Sequence, residues 1–234
     1  GVPLEIGEED GARVISLAGE AELTPCDVIV PGDPSSAAFF ITAALIVPGS
    51  DLVIENVGLN ETRAGIVSVL RDMGGQIEEL DRRSVGGEPV ADLRVRHSAL
   101  TAVEGDPAIA PCMIDEFPAL FVAAALAQGT TRTSGLDELR VKESDRLAVM
   151  AKALTLAGAL VEEHEDGLTI HGTGGDPLPG TPEGAHIATH LDHRIAMSMA
   201  VAGLASRDGV TVDDTAPIAT SFPTFMQLLE DASR

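Results

Sequence analysis

Apolar residues are concentrated in three stretches of ten or eleven residues, which are Ala37–Val47, Pro118–Ala127 and Ile195–Ala205. A glycine follows each stretch, and these glycines, Gly49, Gly129 and Gly209, lie 80 residues apart. Apolar stretches of this length are longer than most strands and too short to span a membrane, so they favour buried helices. Because both the order and the spacing recur, we predict a structural repeat.

The pattern between the glycines predicts further elements in each copy. In the first copy we expect a helix from Asp33-Pro34 to about Ile46, a strand at 51–57, a helix at 63–74, and strands at 76–80 and 91–97 joined across Gly86-Gly87. In the second we expect a helix at 116–127, a strand at 130–136, a helix at 145–157 starting after Ser144, and strands at 160–164 and 168–171 that turn at Asp166-Gly167. In the third we expect a helix at 193–206 after Asp192, a strand at 209–213 and a helix at 222–231.

The repeating unit is therefore strand–helix–strand–helix–strand–strand, which predicts an α/β (α+β) fold. Strands at Pro3–Ile6 and Arg13–Leu17 look like the closing hairpin of an earlier copy. We expect residues 1–26 to be tail strands of a preceding repeat or a crossover, and residues 27–234 to form one domain of three repeats, the third truncated. Such a chain is expected to be a fragment; the alternative is a natural short protein with irregular ends.

Charge narrows the choice of ligands. The net charge is -22, and the 15 lysines and arginines include only two lysines. Four of the cations, Arg140, Lys142, Arg146 and Lys152, fall within 13 residues around one predicted helix start. Helix N-termini attract anions through unpaired N–H groups and the helix dipole, so this gathering predicts a site for an anionic small molecule.

The same composition argues against other classes of protein. An acidic chain is a poor general partner for nucleic acid, and no apolar run approaches the length of a membrane span. Cys26 and Cys112 form no closely spaced metal-type pair. We therefore expect a cytoplasmic protein with no metal and no cofactor.

Three aspartates, Asp33, Asp115 and Asp192, each precede the first helix of a copy. Aspartate is a favoured N-cap, so all three have a purely structural interpretation. At Asp115-Glu116 the preceding apolar residues suggest burial, which could raise the pKa of a carboxyl toward that of a working base. His193 and Arg194 add an imidazole and a guanidinium after Asp192. With Lys142, Glu143 and Arg146, this set predicts acid–base chemistry on an anion and leaves open which anion.

Five segments carry a family resemblance, and they are 30–36 (VPGDPSS), 114–116 (IDE), 139–146 (LRVKESDR), 191–197 (LDHRIAM) and 220–223 (TSFP). They resemble the 5-enolpyruvylshikimate-3-phosphate synthase family, over about residues 1 to 234 and only the C-terminal half of the family's length. The resemblance implies one of the two domains of the enolpyruvyl transferase fold, an inverse α/β barrel domain of repeated βαβαββ units. It implies phosphoenolpyruvate, shikimate 3-phosphate and the missing N-terminal domain as partners.

The resemblance also implies a role for each site residue. Asp115 resembles the carboxylate that holds and deprotonates the 5-hydroxyl of shikimate 3-phosphate. Lys142 resembles the lysine near that hydroxyl and the bridging oxygen, and Glu143 the acid/base at the methylene carbon. Arg146 and Arg194 resemble the two arginines that bind phosphoenolpyruvate, and His193 resembles the histidine beside them. Asp33 resembles an aspartate at the domain crossover.

One departure and two alternatives accompany this assignment. Many family members have a lysine before Ser-Phe-Pro, where this chain has Ile218-Ala219-Thr220, so one phosphoenolpyruvate contact is expected to be missing or replaced. One alternative is the related UDP-N-acetylglucosamine enolpyruvyl transferase. The other is a half-enzyme or binding module that has no turnover by itself, as expected if the N-terminal domain is absent.

Overall fold

A computed structural model describes residues 2–233 as two compact units, with the division between Val30 and Pro31. The first unit contains a hairpin of two antiparallel strands, β1 (Leu4–Glu9) and β2 (Ala12–Leu17). Asp10 and Gly11 form its turn with positive φ angles. The domain boundary expected between residues 26 and 27 stays a prediction.

Three apolar helices form the centre of the second unit. These helices are α1 (Pro34–Ile46), α3 (Phe117–Leu126) and α5 (His193–Leu204), and each packs against the other two. Every residue of α3 is buried. A helix that is apolar on all sides must be enclosed by other elements, because no face of it can meet water without cost. The three apolar stretches of the sequence are thus confirmed as buried helices.

Three outer helices cover this core. They are α2 (Gly65–Asp72), α4 (Arg146–Leu156) and α6 (Phe225–Ala232). Their buried residues lie on one face, as Ile66 and Leu70 do in α2 and Leu147 and Leu154 do in α4. Phe225 of α6 joins the core through edge-on contacts with the rings of two residues of α1, Phe39 and Phe40.

Two three-stranded antiparallel sheets lie outside the helices. The first has the order β3-β5-β4, with β3 (Asp51–Gly58), β4 (Gln76–Val85) and β5 (Glu88–Arg96). The second has the order β6-β8-β7, with β6 (Thr130–Arg132), β7 (Leu160–His164) and β8 (Gly167–His171). Gly86 and Gly87 both have positive φ angles, as a two-residue hairpin turn requires, so the first hairpin is longer and tighter than predicted.

The strand that opens each repeat is reduced to isolated bridges. Parallel bridges join Gly32 to Val57 in the first repeat, Glu104 to Arg132 in the second and Ile187 to Val212 in the third. In every repeat, therefore, the segment before the inner helix runs parallel to the segment after it. This arrangement brings the N-terminal ends of the three inner helices to the same side of the unit.

Several predicted boundaries are wrong. The strand expected at 130–136 ends at Arg132, because the chain turns at Gly135 into the 3-10 helix Asp137–Val141. The strand expected at 209–213 is reduced to one bridge, between Val212 and Ile187. Helix α4 has Asp145 and not Ser144 as its N-cap, since Asp145 Oδ1 accepts the N–H of Ala148. The β7–β8 turn residues are Glu165 and Asp166.

No helix within residues 2–233 is long and apolar enough to cross a membrane.

Candidate functional site

The side chain of Arg146 lies at the centre of a cluster of charged groups from three helix starts. It is the first residue of α4 and only 1% exposed. Its Nε donates to Asp192 Oδ2 at 2.8 Å, its Nη1 donates to Asp115 Oδ1 at 3.0 Å, and its Nη2 donates to Glu143. Three acids therefore surround one guanidinium, and each of its three nitrogens donates to at least one of them.

Asp115 is not a helix cap, so its structural interpretation is wrong. It lies in the 3-10 turn Ile114–Glu116 that precedes α3, and no side chain caps that helix. Its carboxylate faces three cations instead, with Lys142 Nζ at 3.6 Å, Arg146 Nη1 at 3.0 Å and Arg194 Nη2 at 4.0 Å. The aspartate of the second repeat thus lies among cations from three segments, which are the residue after the 3-10 helix, α4 and α5.

Of the two acids at 115–116, Glu116 has the raised carboxyl pKa that burial was expected to give, and Asp115 does not. Burial raises the pKa of Asp115 too, but the positive charges of Arg194, Lys142 and Arg146 outweigh the burial, together with the hydrogen bond from Arg146. The net pKa lies below the ordinary value of 3.8. Asp115 is therefore ionised at neutral pH and can accept a hydrogen bond from a hydroxyl group.

Asp192 combines capping with ion pairing. Its Oδ1 accepts the N–H of Arg194 at 3.0 Å, which caps α5 as predicted, while its Oδ2 accepts from Arg146 Nε and Ser144 Oγ. Its side chain is 0% exposed. Burial raises the pKa of this carboxyl, but the hydrogen bond and charge of Arg146 and the bond from Ser144 lower it below 3.8. Asp192 is thus a buried carboxylate held ionised by its neighbours.

Lys142 bridges two acids. It directly follows the 3-10 helix Asp137–Val141, and its ammonium contacts Glu138 as well as Asp115. The hydrogen bond to Glu138 raises the pKa of Lys142, burial and Arg146 oppose that rise, and Asp115 adds to it. The net pKa lies above 10.5, so the group remains an ammonium at neutral pH.

His193, the first residue of α5, is half-buried next to these charges. Burial lowers the pKa of its imidazole, and so do Arg194 and Arg146, whereas Asp192 and Glu143 raise it less. The net pKa is below 6.5. His193 is therefore uncharged at neutral pH and can act as a neutral hydrogen-bonding group.

Arg194 is held differently from Arg146. Its Nη1 donates to the backbone oxygen of Asp115 at 2.9 Å and lies 3.9 Å from Glu116 Oε1. Its Nη2 is 4.0 Å from Asp115 Oδ2, which is too far for a hydrogen bond. Arg194 thus retains N–H groups that can donate to an anion, whereas each nitrogen of Arg146 already serves an acid.

Three predicted site residues lie away from this cluster. Asp33 caps α1 through the N–H groups of Ser35 and Ser36, and it lies 3.8 Å from Arg63. Arg140 binds Asp145 and the backbone oxygens of the β7–β8 turn, and Lys152 is exposed on α4. Of the four cations predicted to lie together, Lys142 and Arg146 contact Asp115, whereas Arg140 pairs with Asp145 and Glu163.

Three further residues belong to the cluster although sequence reasoning did not select them as site residues. Asp192 was assigned only a capping role, Glu116 was noted only as a second acid, and Glu138 was passed over. The signal for Glu138 is its position four residues before Lys142, which places two opposite charges on neighbouring turns. No comparable signal marks the burial of Asp192, because that burial depends on α4.

The loop before α5 has an unusual backbone. His190 and Leu191 are consecutive non-glycine residues with φ angles of 53° and 61°, a region that L-residues seldom adopt. The buried Thr189 just before them binds Asp213 through both its N–H and its hydroxyl, which fixes one end of the loop. Strain of this kind is maintained only where the surroundings determine it, and here it directs Asp192 into the cluster.

Comparison with known proteins agrees with this geometry. The model of the family described as EPSP synthase (3-phosphoshikimate 1-carboxyvinyltransferase) matches residues 1–229. The chain belongs to the EPSP synthase family. A 3-phosphoshikimate 1-carboxyvinyltransferase of Novosphingobium aromaticivorans is 73% identical over 225 residues, covering 96% of this chain and 51% of the relative. That of Zymomonas mobilis is 60% identical, covering 99% and 51%.

Solved structures show the same domain. An EPSP synthase from Acinetobacter baumannii matches with a TM-score of 0.89 and 43% identity, over 97% of this chain and 51% of that one. The enolpyruvyl transferase NikO from Streptomyces tendae matches with a TM-score of 0.71 at 18% identity, over 98% and 50%, which shows the fold alone. The predicted enolpyruvyl transferase domain is confirmed. The chain spans about half the length of the curated relatives it matches.

Proposed function

We propose that this chain supplies the C-terminal half of a 3-phosphoshikimate 1-carboxyvinyltransferase. The enzyme would transfer the enolpyruvyl group of phosphoenolpyruvate to the 5-hydroxyl of shikimate 3-phosphate. The observation that carries this proposal is the position of the ionised Asp115 among Lys142, Arg146 and Arg194, in a chain of the EPSP synthase family. The substrates carry phosphate and carboxylate groups, so cations are needed to bind them and acids must lie among those cations to move protons.

In the first step, the 5-hydroxyl oxygen would bond to C2 of phosphoenolpyruvate while a proton adds to C3, giving a tetrahedral intermediate. Asp115 accepts the hydroxyl hydrogen, and Lys142 stabilises the negative charge that develops on the oxygen. Glu143, which is exposed, is the acid that protonates C3. In the second step, the bond between C2 and the phosphate oxygen breaks, the proton held by Asp115 passes to the leaving phosphate, and Glu143 takes a proton back from C3. The enolpyruvyl group is then complete on the 5-oxygen of the shikimate ring.

The guanidinium groups have unequal access to phosphoenolpyruvate. The described contacts of Arg194 include no hydrogen bond to an acid side chain, and its side chain is 15% exposed against 1% for Arg146, so Arg194 would bind the anion first. Arg146 is enclosed by Asp115, Glu143 and Asp192, so an anion would reach it only where Glu143 moves aside. We propose His193 as their neutral neighbour. Asp33, whose described contacts are in its own repeat, is proposed for the crossover to the half that the chain does not cover.

We further propose that the chain by itself binds phosphoenolpyruvate weakly and has no turnover. The acids of the cluster already neutralise Arg146 and Lys142, so cations from the remainder of the enzyme are needed for two anionic substrates. The partners would thus be phosphoenolpyruvate, shikimate 3-phosphate and an N-terminal domain.

The test is an assay of the chain alone and of a completed enzyme. We define the completed enzyme as this chain joined to the part of the Novosphingobium aromaticivorans relative that it does not cover. Phosphate release from phosphoenolpyruvate is measured with shikimate 3-phosphate or with UDP-N-acetylglucosamine as acceptor. We expect turnover only for the completed enzyme with shikimate 3-phosphate. Turnover with the UDP-sugar alone would overturn the proposed acceptor.

A further inference from the structure

We propose that Glu116 is a positioning residue that fixes the guanidinium of Arg194 for anion binding and couples that binding to the uptake of a proton. The identity of the anion as phosphoenolpyruvate rests on the proposed function. The fixing of Arg194 rests on the contacts of this chain.

The burial of Glu116 requires an explanation. Its side chain is 3% exposed although it lies next to the accessible Asp115. A buried carboxylate is costly unless it is paired and hydrogen-bonded. Glu116 Oε1 accepts a hydrogen bond from Ser35 Oγ in α1, and it lies 3.9 Å from Arg194 Nη1 in α5. One carboxylate therefore connects the starts of all three inner helices, since Glu116 itself precedes α3.

Glu116 and its neighbour act on the same atom of Arg194. Nη1 donates to the backbone oxygen of Asp115 at 2.9 Å and faces the carboxylate of Glu116. These two contacts fix the plane of the guanidinium, which is rigid, and so determine where its other N–H groups point. Without the carboxylate, Nη1 would keep only one neutral acceptor, and the plane could rotate about it.

Charged groups reach Glu116 from every element packed against it. Arg194 approaches from α5, Asp115 precedes it in the chain, and Arg63, before α2, donates to Ser35 Oγ at 3.3 Å. Asp33 Oδ1 lies 3.8 Å from the same nitrogen of Arg63, Nη2. Burial raises the pKa of Glu116, Ser35 and Arg194 lower it, Asp115 raises it and Arg63 lowers it, with a net rise above 4.5.

This balance has a consequence for binding. Arg194 is one of the groups that support the negative charge of Glu116. An anion bound to Arg194 offsets part of the positive charge that stabilises the ionised form of Glu116. The pKa of Glu116 should therefore rise further, so that it binds a proton more readily. Binding of phosphoenolpyruvate should then take up protons from solution near and above the ordinary pKa of a glutamate.

The experiment uses the completed enzyme and three variants. Glu116→Gln keeps the size of the side chain and an acceptor for Ser35 but removes the charge, and Glu116→Ala removes both. Glu104→Gln is the matched control, because Glu104 is an exposed acid that pairs with Arg132 on the surface. We measure kcat, the KM for each substrate, melting temperature and, by calorimetry in two buffers of different ionisation enthalpy, the protons taken up with phosphoenolpyruvate.

We expect Glu116→Gln not to lower the melting temperature and to raise the KM for phosphoenolpyruvate about tenfold, the scale of one misplaced hydrogen bond to a charged group. The KM for shikimate 3-phosphate should change less, and the linked proton uptake should disappear. Glu116→Ala should also lower the melting temperature. Glu104→Gln should match the unchanged protein in every measurement.

If Glu116 had a purely structural role, Glu116→Gln would have the same KM for phosphoenolpyruvate and the same proton uptake as the wild type. This result would overturn the proposal. A wild-type completed enzyme that binds phosphoenolpyruvate without turnover would overturn the proposed function, while the binding comparison would still decide the role of Glu116. Failure of the wild type to bind phosphoenolpyruvate would overturn both.

Discussion

Asp33 and Asp115 stand before the first helix of successive repeats, but they make different contacts. Asp33 binds the backbone N–H groups of its own helix, and its nearest cation, Arg63, is exposed. Asp115 binds no N–H of the following helix and instead faces three cations. The same repeat position can therefore stabilise a helix or build a reaction site. What decides between them is whether the next helix brings a buried cation.

The outer helices of the two repeats show the same contrast. Helix α2 begins after Ala64, without a side-chain cap, and no charged residue lies in its first turn. Helix α4 begins with Arg146, which is enclosed by acids from three segments. The start of α2 in the first repeat thus has no charged residue, whereas the start of α4 in the second repeat holds the cation around which the acids lie. Four predictions test this difference.

The largest expected effect is the loss of Arg146. Arg146→Met should lower the free energy of unfolding by about 3–5 kcal/mol, because Asp192 would remain buried without its partner. Chemical denaturation measures this change. The control from the first repeat is Arg63→Met, which should change stability by less than about 0.5 kcal/mol because that side chain is exposed. Equal losses in the two variants would show that the repeats do not differ in this way.

The second prediction concerns turnover of the completed enzyme. Asp115→Ala and Glu143→Gln should each lower kcat by at least about 10²-fold, the usual effect of removing a positioned acid or base. Glu61→Gln is the control, since Glu61 is an exposed acid in the corresponding segment before α2. If kcat per folded molecule survives in the Asp115 variant, its assignment as a chemical group is wrong.

The third prediction concerns the caps. Asp33→Ala should lower the free energy of unfolding by about 1 kcal/mol, the typical cost of losing an N-cap. Asp115→Ala should remove no capping hydrogen bond, because the Asp115 side chain accepts no N–H of the following helix. Amide hydrogen exchange at the first N–H groups of α1 and α3 decides the question, because Asp115→Ala also removes an ion-pair partner of the buried Arg146 and so changes overall stability for another reason. Faster exchange at the start of α3 in the Asp115 variant, as large as that at Ser35 and Ser36 in the Asp33 variant, would return Asp115 to a capping role.

The smallest expected effect lies in the pH dependence of stability. The pKa of Asp192 is lowered by folding, so its contribution to stability is present above about 3.8 and is lost as the pH falls through the lower folded value. The pKa of Glu116 is raised, so its contribution is present below 4.5 and is lost as the pH rises through the raised value. Glu116→Gln should therefore remove a decline in stability above pH 4.5. Denaturation of both proteins from pH 4 to 8 measures it, and identical slopes would contradict the prediction.

Much of this architecture could be predicted from the sequence because local signals agreed with the fold. Apolar stretches at constant spacing predicted the inner helices, and Asp33 and Asp192 predicted where α1 and α5 begin. The strands at 130–136 and 209–213 were predicted too long. Valine and threonine favour strands, but the local pattern does not show that only residues 130–132 of the first stretch pair with β8, or that 209–213 meets its neighbour only at the bridge between Val212 and Ile187.

The charge cluster was predicted in composition but not in geometry. Sequence reasoning selected Asp115, Lys142, Glu143, Arg146, His193 and Arg194 on helix starts. It could not show that Arg146 is enclosed, since its partner Asp192 lies 46 residues away. It also could not show that one acid of the pair at 115–116 has a lowered pKa and the other a raised one. Such differences arise from packing between helices.

The mutual packing of α1, α3 and α5 has a consequence for the speed of folding. These helices begin about 80 residues apart in the chain, so none of their contacts can form before a long loop has closed. Loop closure costs entropy that only the completed core repays, and chains rich in such distant contacts fold slowly. Hairpins such as β4–β5 can form early by themselves. The collapse of the three inner helices should be the late and rate-limiting event.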